Sequence, residues 1–201
     1  MLKIGLTGGI ATGKSYVFDR LVRLGIPGLD ADAIAHGVMT SGTEATAAIA
    51  KRFGPAAISP DGSVNRSALG PVVFADAAAR RDLEAIVHPA VRRSIAAGLR
   101  AFELLGHAAV VVAVPLLFET GKAEDYDRVV VTACPPAQQI ERLVARGLTE
   151  EAAKQRLAAQ LPTDQKVAKA DFVVHTDRSF EETDRQIAAL LKAIETNVWP
   201  R

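Results

Sequence analysis

At 201 residues, 49% hydrophobic and 23% charged, the chain has the composition of a globular protein long enough to bury a sizeable core. A formal net charge of +1 and the absence of like-charge tracts exclude a global field for nucleic acid or anionic lipid, so neither is expected as a partner. A single cysteine, Cys134, excludes an intrachain disulfide or a zinc cluster and points to a reduced, cytoplasmic setting.

The chain enters directly on Leu2-Lys3-Ile4-Gly5-Leu6, without the basic, apolar and cleavage segments of a signal peptide. Lys3–Thr7 reads as a short buried strand, and Tyr16–Leu24 reads as a helix closed by Gly25. Between them, Gly8-Gly9-Ile10-Ala11-Thr12-Gly13-Lys14-Ser15 fits G-x-x-x-x-G-K-[ST] at every fixed position. Strand, glycine-rich turn and helix form the context that this motif needs. The glycines let backbone N–H groups curl around phosphate oxygens, and the helix adds the positive end of its dipole. Lys14 can reach the β- and γ-phosphates, and the Ser15 hydroxyl can hold Mg²⁺.

A second short strand is expected at Pro27–Leu29, followed by Asp30-Ala31-Asp32. Carboxyl ends of parallel strands line the ligand crevice, so a carboxylate there can take a proton from a substrate hydroxyl or help hold Mg²⁺. If the strand continues, Asp30 and Asp32 alternate and only one faces the site; Asp30 is equally a helix cap. Residues 33–107 read as almost wholly helical, with Asp76–Leu105 broken at His88-Pro89. That is too long for a simple crossover and reads as an inserted substrate lobe.

Ala109–Val114, Arg128–Thr132 and Phe172–His175 are continuous Val-rich runs suited to strands covered on both faces. Ala108–Leu117, the longest apolar run, is too short to span a bilayer, so no membrane partner is expected. Helices are expected at Pro136–Arg146, Thr149–Leu161 and Ser179–Glu195, the last with a Ser179/Glu182 capping box. The tail from Asn197 to Arg201 carries no readable role. The pattern implies an α/β fold of the P-loop NTPase type. Its doubly wound parallel sheet has about five strands, with an inserted helical lobe at 33–107 and a small helical lid at 138–165, all in one domain over 1–201.

The loop alone does not separate kinase, ATPase and GTPase. The chain has no guanine-reading Asn-Lys-x-Asp and no Asp-x-x-Gly after the third strand, which runs instead into Pro115-Leu116-Leu117-Phe118-Glu119. This argues against a GTPase switch or a motor ATPase. Arg142 and Arg146, four apart, can converge on one anion, and with Arg156 and Lys166 they suit a lid over phosphates. The competing reading is a solvated basic face. Cys134 reads as a small apolar filler.

From end to end the chain resembles the dephospho-coenzyme A kinase family. The resemblance rests on Ile4–Ile10 with Gly13-Lys14-Ser15, Asp30-Ala31-Asp32, and Asp61-Gly62 with Arg66, Leu69 and Phe74. It continues in His88-Pro89, Val114–Glu119, Gln139, Arg142, Arg146 and Gln160, and Ala170–Val174. It implies ATP-dependent phosphorylation of the ribose 3′-hydroxyl of dephospho-coenzyme A, the last step of coenzyme A synthesis. Asp32 is then the base, with Lys14, Mg²⁺ on Ser15, and Arg142 stabilising the phosphoryl group. Gly8, Gly9, Ile10, Ala11, Thr12, Gly13, Lys14, Ser15, Tyr16, Arg142 and Arg146 are implied for ATP. Asp32, His88, Pro115, Leu116, Leu117 and Glu119 are implied for the acceptor, and Asp30 or Asp32 as a further metal ligand.

The chain departs from the family pattern at four places. Ala11-Thr12 stands for the common Gly-Ser, Tyr16 for Thr and His36 for Arg, and Thr176-Asp177-Arg178 for an Asn- and Gly-containing adenine loop. The alternatives are another small-molecule kinase, acting on a nucleoside monophosphate or a sugar-like alcohol, and a nucleotide-dependent regulatory protein. No feature assigns an oligomeric state.

Overall fold

In a computed structural model that describes residues 1–199, these divide into two compact units: residues 1–30 with 102–199, and residues 31–101. Pro200 and Arg201 lie outside the described residues.

The first unit is an α/β layer structure. Strand β1 (Leu2–Gly8) leads through the glycine-rich turn into helix α1 (Lys14–Arg23), and β2 (Gly28–Asp30) follows. The second unit begins with helix α2 (Ala31–Gly37) and continues with α3 (Glu44–Phe53), α4 (Arg66–Ala75) and α5 (Ala77–Leu104), whose last turn returns to the first unit. Then come β3 (Ala109–Ala113), β4 (Arg128–Ala133), α6 (Pro136–Ala145), α7 (Glu150–Ala158), α8 (Thr163–Val167), β5 (Phe172–His175) and α9 (Phe180–Thr196).

The five strands pair in the order β2-β3-β1-β4-β5, all parallel. Period-2 alternation explains why both faces are apolar. Ile4, Leu6, Val111, Val130 and Val174 pack with Val17 and Leu21 of α1 and Ile187 and Leu190 of α9. The neighbours Val129 and Val131 face the other way, with Leu117, Tyr126 and Val167. Burial in that second layer pushes the Tyr126 phenol up to about 12. Gly5 is needed there, because an added Cβ would stand 3.0 Å from the side chains of both Leu117 and Tyr126.

Local signals set the helix ends. Thr149 and Ser179 cap α7 and α9 by accepting from the N–H groups of Ala152 and Glu182. The Glu182 carboxylate is engaged by Arg185. Gly25 and Gly147 follow α1 and α6 with φ of 94° and 92°, the left-handed geometry that glycine adopts freely.

The helical unit has its own core of Ile49, Ala57, Val64 and Leu69, with Leu83, Ile86 and Val87 packed against it. Thr43 caps α3 through the Thr46 N–H. One expectation is corrected in this region. Helix α5 runs unbroken through His88-Pro89. Pro89 deprives one carbonyl, that of Ala85, of its donor, and Ala85 is exposed, so water can take its place. Strand β2 ends at Asp30, so Asp32 lies in the first turn of α2 and strand alternation does not govern the two aspartates. No helix among the described residues is long and apolar enough to cross a membrane.

Candidate functional site

Gly9 to Thr12 of the glycine-rich turn are each placed by a specific contact. Gly13 has φ 82° and is the N-cap of α1; it brings no side chain to the first-turn N–H groups, and no acidic residue follows in that turn. Those donors and the helix dipole therefore present positive potential at the turn, beside the half-buried Lys14 and the exposed Ser15. Thr12 is buried beneath the loop, where its hydroxyl donates to the Gly9 carbonyl at 2.7 Å and lies 2.7 Å from Thr132 Oγ1. A Cβ on Gly8 would collide with the Thr132 hydroxyl, stand 2.5 Å from Thr12 Oγ1 and 2.8 Å from the Thr132 carbonyl. Gly8→Ala is thus expected to displace the loop. Overpacking of this kind costs about 1–3 kcal/mol. Calorimetry should show weakened Mg-ATP binding together with a lowered Tm.

The positions that depart from the family pattern are held by partners within the same unit. Ala11 has φ 61°, a left-handed conformation disfavoured for a residue with a Cβ. Its carbonyl accepts from Arg142 Nη1 at 3.1 Å. The same guanidinium donates to Thr176 Oγ1 at 3.2 Å and to the Thr176 carbonyl, and lies 3.5 Å from Cys134 Sγ. Thr176 Oγ1 in turn donates to the Thr12 carbonyl at 2.8 Å. Arg142 is thereby built into the seam between the phosphate loop and the loop after β5. Tyr16 donates to Asp184 at 2.8 Å, and Arg20 pairs with the same carboxylate at 2.7 Å. These contacts tie α1 to α9 and hold the Asp184 carboxyl below its ordinary range.

Arg146 is the exposed C-cap of α6, in contrast to the half-buried Arg142. Cys134 is buried, and burial pushes its thiol up, as expected of an inert filler.

A cavity of about 960 Å³ lies beside the loop, between the ends of β4 and β5 and the helices α6 to α8. Gly9, Cys134, Gln139, Gln160, Thr163 and Asp177 are among its walls. Gln139 and Gln160 hold both backbone polar groups of Ile10, in the two peptide units that flank its Cα. Gln160 Oε1 accepts the Ile10 N–H at 2.9 Å, and Gln139 Nε2 donates to the Ile10 carbonyl at 2.6 Å. Both match the lid pattern in the sequence, but their grip on the loop needs the fold, because they lie on separate elements. Thr132 and Thr163, which complete these contacts, carry no sequence signal at all.

After β3, Pro115 is half-buried and its carbonyl accepts from Thr7 Oγ1 at 3.2 Å. Leu116 is exposed, whereas Leu117 is fully buried in the core with Val129 and Val131 and supports this segment from beneath. Glu119 Oε1 lies 2.7 Å from Lys166 Nζ and accepts the Leu161 N–H at 3.0 Å. Lys166 is 0% exposed, and its Nζ meets the carboxylate as an ion pair without a well-aligned hydrogen bond. Lys166 is therefore a buried counter-ion, which corrects the expectation that it closes over phosphates.

Burial disfavours the ionised Glu119 carboxylate, but Lys166 and two backbone donors outweigh it and hold the group below its ordinary 4.5. A depressed carboxyl stabilises the fold above its unfolded value and loses that contribution as pH falls through the folded value. Thermal unfolding followed from pH 6 down to about pH 3 should show Tm falling across that window, with a shallower fall in Glu119→Gln.

In the helical unit, Asp32 is exposed in the first turn of α2. His36, on the same helix, meets Arg66 Nη1 through Nε2. His88 is exposed on α5 at a shallow depression of about 320 Å³ with Arg81 and Arg92. A groove of about 550 Å³ is lined by α2, α3 and α5.

The described residues hold no cluster of three or more His, Cys, Asp or Glu able to cage a metal.

A family model described as dephospho-CoA kinase matches residues 2–182. A dephospho-CoA kinase of Anaeromyxobacter dehalogenans is 47% identical over 195 residues, covering 94% of this chain and 92% of the relative. The crystal structure of TT1252 from Thermus thermophilus superposes with a TM-score of 0.80 at 35% identity, covering 95% of this chain and 96% of that one. Dephospho-CoA kinase from Campylobacter jejuni gives 0.76 at 28% identity, with 97% and 98% covered. The phosphate loop at the head of α1, the five-stranded parallel sheet and these matches lead to one assignment: the chain belongs to the dephospho-CoA kinase family.

Proposed function

We propose that the protein transfers the γ-phosphoryl group of ATP to the ribose 3′-hydroxyl of dephospho-coenzyme A, yielding coenzyme A and ADP in the cytoplasm. The observation that carries the reading is an intact phosphate loop, with Lys14 and Ser15 at the start of α1, in a chain matching the family over residues 2–182.

In this reading the backbone of Gly8–Gly13 cradles the phosphates and Lys14 draws charge from the β- and γ-oxygens. Arg142, fixed to the Ala11 carbonyl, adds positive charge at the loop, and Arg146 and Tyr16 complete the nucleotide-facing set. Asp32 accepts the proton of the acceptor hydroxyl as its oxygen attacks the γ-phosphorus and the bond to the β–γ bridging oxygen breaks. Mg²⁺ would be held by Ser15, with Asp30 or Asp32 as a further ligand, and when bound it neutralises charge developing on the phosphoryl oxygens. His88, Pro115, Leu116, Leu117 and Glu119 are assigned to the acceptor.

Phosphorus NMR of the product is the test. A new monoester at the 3′ position of the ribose supports the assignment. Phosphate at the 2′ position, or inorganic phosphate alone, contradicts it.

A further inference from the structure

The segment between α7 and α8, Gln160-Leu161-Pro162-Thr163, makes contacts in two directions. Toward the phosphate loop, Gln160 Oε1 accepts the Ile10 N–H at 2.9 Å, and Thr163 Oγ1 donates to Gln139 Oε1 at 3.3 Å. Gln139, so oriented, donates from Nε2 to the Ile10 carbonyl. In the other direction, the Leu161 N–H donates to Glu119 Oε1, and that carboxylate is neutralised by Lys166, which has no exposure to solvent.

We propose that the Glu119–Lys166 pair is a positioning device for the nucleotide site: it anchors the 160–163 segment, through which Gln160 and Gln139 fix both backbone polar groups of Ile10 at the tip of the phosphate loop.

Three physical points support this. Lys166 gives up all contact with water to reach a carboxylate that is still 20% exposed, and burying an ammonium is costly, so the pair is better accounted for by the geometry it specifies than by stability. Glu119 Oε1 meets both the backbone of the segment and Lys166, so losing either charge disturbs the position of Leu161 and hence of its neighbour Gln160. Ile10 also has both of its backbone groups committed to side chains from other elements, which an unanchored loop could not maintain. Glu119 and Lys166 act through the glutamines and are positioning residues.

The inference rests on the nucleotide half of the proposed function, so its test reads Mg-ATP binding by calorimetry rather than turnover. Acceptor activity is assayed separately, so either reading can fail while the other stands. The paired variant E119L/K166M removes both charges and the Leu161 contact without stranding a buried ion. Q160A cuts only the contact to Ile10, and circular dichroism and Tm report folding. Loss of one well-formed contact is worth about fivefold to tenfold in affinity. The paired variant and Q160A should each raise the Kd for Mg-ATP by about that factor, and the triple variant by no more than the larger of the two. A purely structural pair would lower Tm and leave Kd unchanged. That result would overturn the proposal, as would fully multiplicative effects in the triple variant or tighter binding by Q160A.

Discussion

Lys14→Met is expected to leave the protein folded and to lower kcat by about 10²–10³-fold, the loss typical when one preorganised electrostatic group is removed from a developing charge. Lys14 is the first residue of α1 and half-buried, so methionine keeps the apolar stem in place while deleting the ammonium. The loop's glycines and backbone donors remain, so nucleotide still binds, though more weakly. What disappears is a cation that can follow the γ-phosphoryl group as charge moves toward the bridging oxygen. Steady-state kinetics at saturating ATP separate the two effects: a change confined to KM would move Lys14 out of the transition state and into ground-state binding.

Asp32→Asn is expected to cost about 10²–10⁴-fold in kcat, the range for removal of a positioned general base. Asparagine is nearly isosteric and keeps the ability to hydrogen-bond, but it cannot take the hydroxyl proton. The side chain lies exposed in the first turn of α2, where an anion is also favoured by the helix dipole. Because asparagine also fits there, Tm should scarcely move and Mg-ATP binding should persist. Calorimetry beside single-turnover transfer reads both. Full turnover in the variant would remove Asp32 from the role of base.

The parts of this molecule that the sequence discloses are those whose causes are local. Lys3 to Ser15 carry strand pattern, glycine placement and helix start within one short stretch, and the structure follows that reading closely. The Val-rich runs at 109–113 and 128–133 are buried on both faces of a parallel sheet, so composition alone marks them as strands. Thr149 and Ser179 are caps in the sequence and in the structure for the same hydrogen-bonding reason.

What stays hidden depends on distant partners. Nothing near Lys166 in sequence shows that its ammonium turns inward to Glu119, so it reads as one more surface cation. Arg142 looks like a mobile lid arginine until Ala11 and Thr176, from two other loops, are brought to it. Pro89 carries a strong local break signal, but α5 continues through it, and the residue whose carbonyl loses its donor, Ala85, is exposed. Gln160 and Gln139 are visible as residues and invisible as a clamp, since the peptide they hold lies at the opposite end of the chain.

The central claim is tested most directly by coupled ADP release from the purified protein with Mg-ATP, with and without dephospho-coenzyme A, beside nucleoside monophosphates and a sugar alcohol. ADP release that depends on dephospho-coenzyme A, with little stimulation by the other acceptors, is the predicted result. Folded, ATP-binding protein that releases ADP equally with and without dephospho-coenzyme A, or that prefers a nucleoside monophosphate, would contradict it.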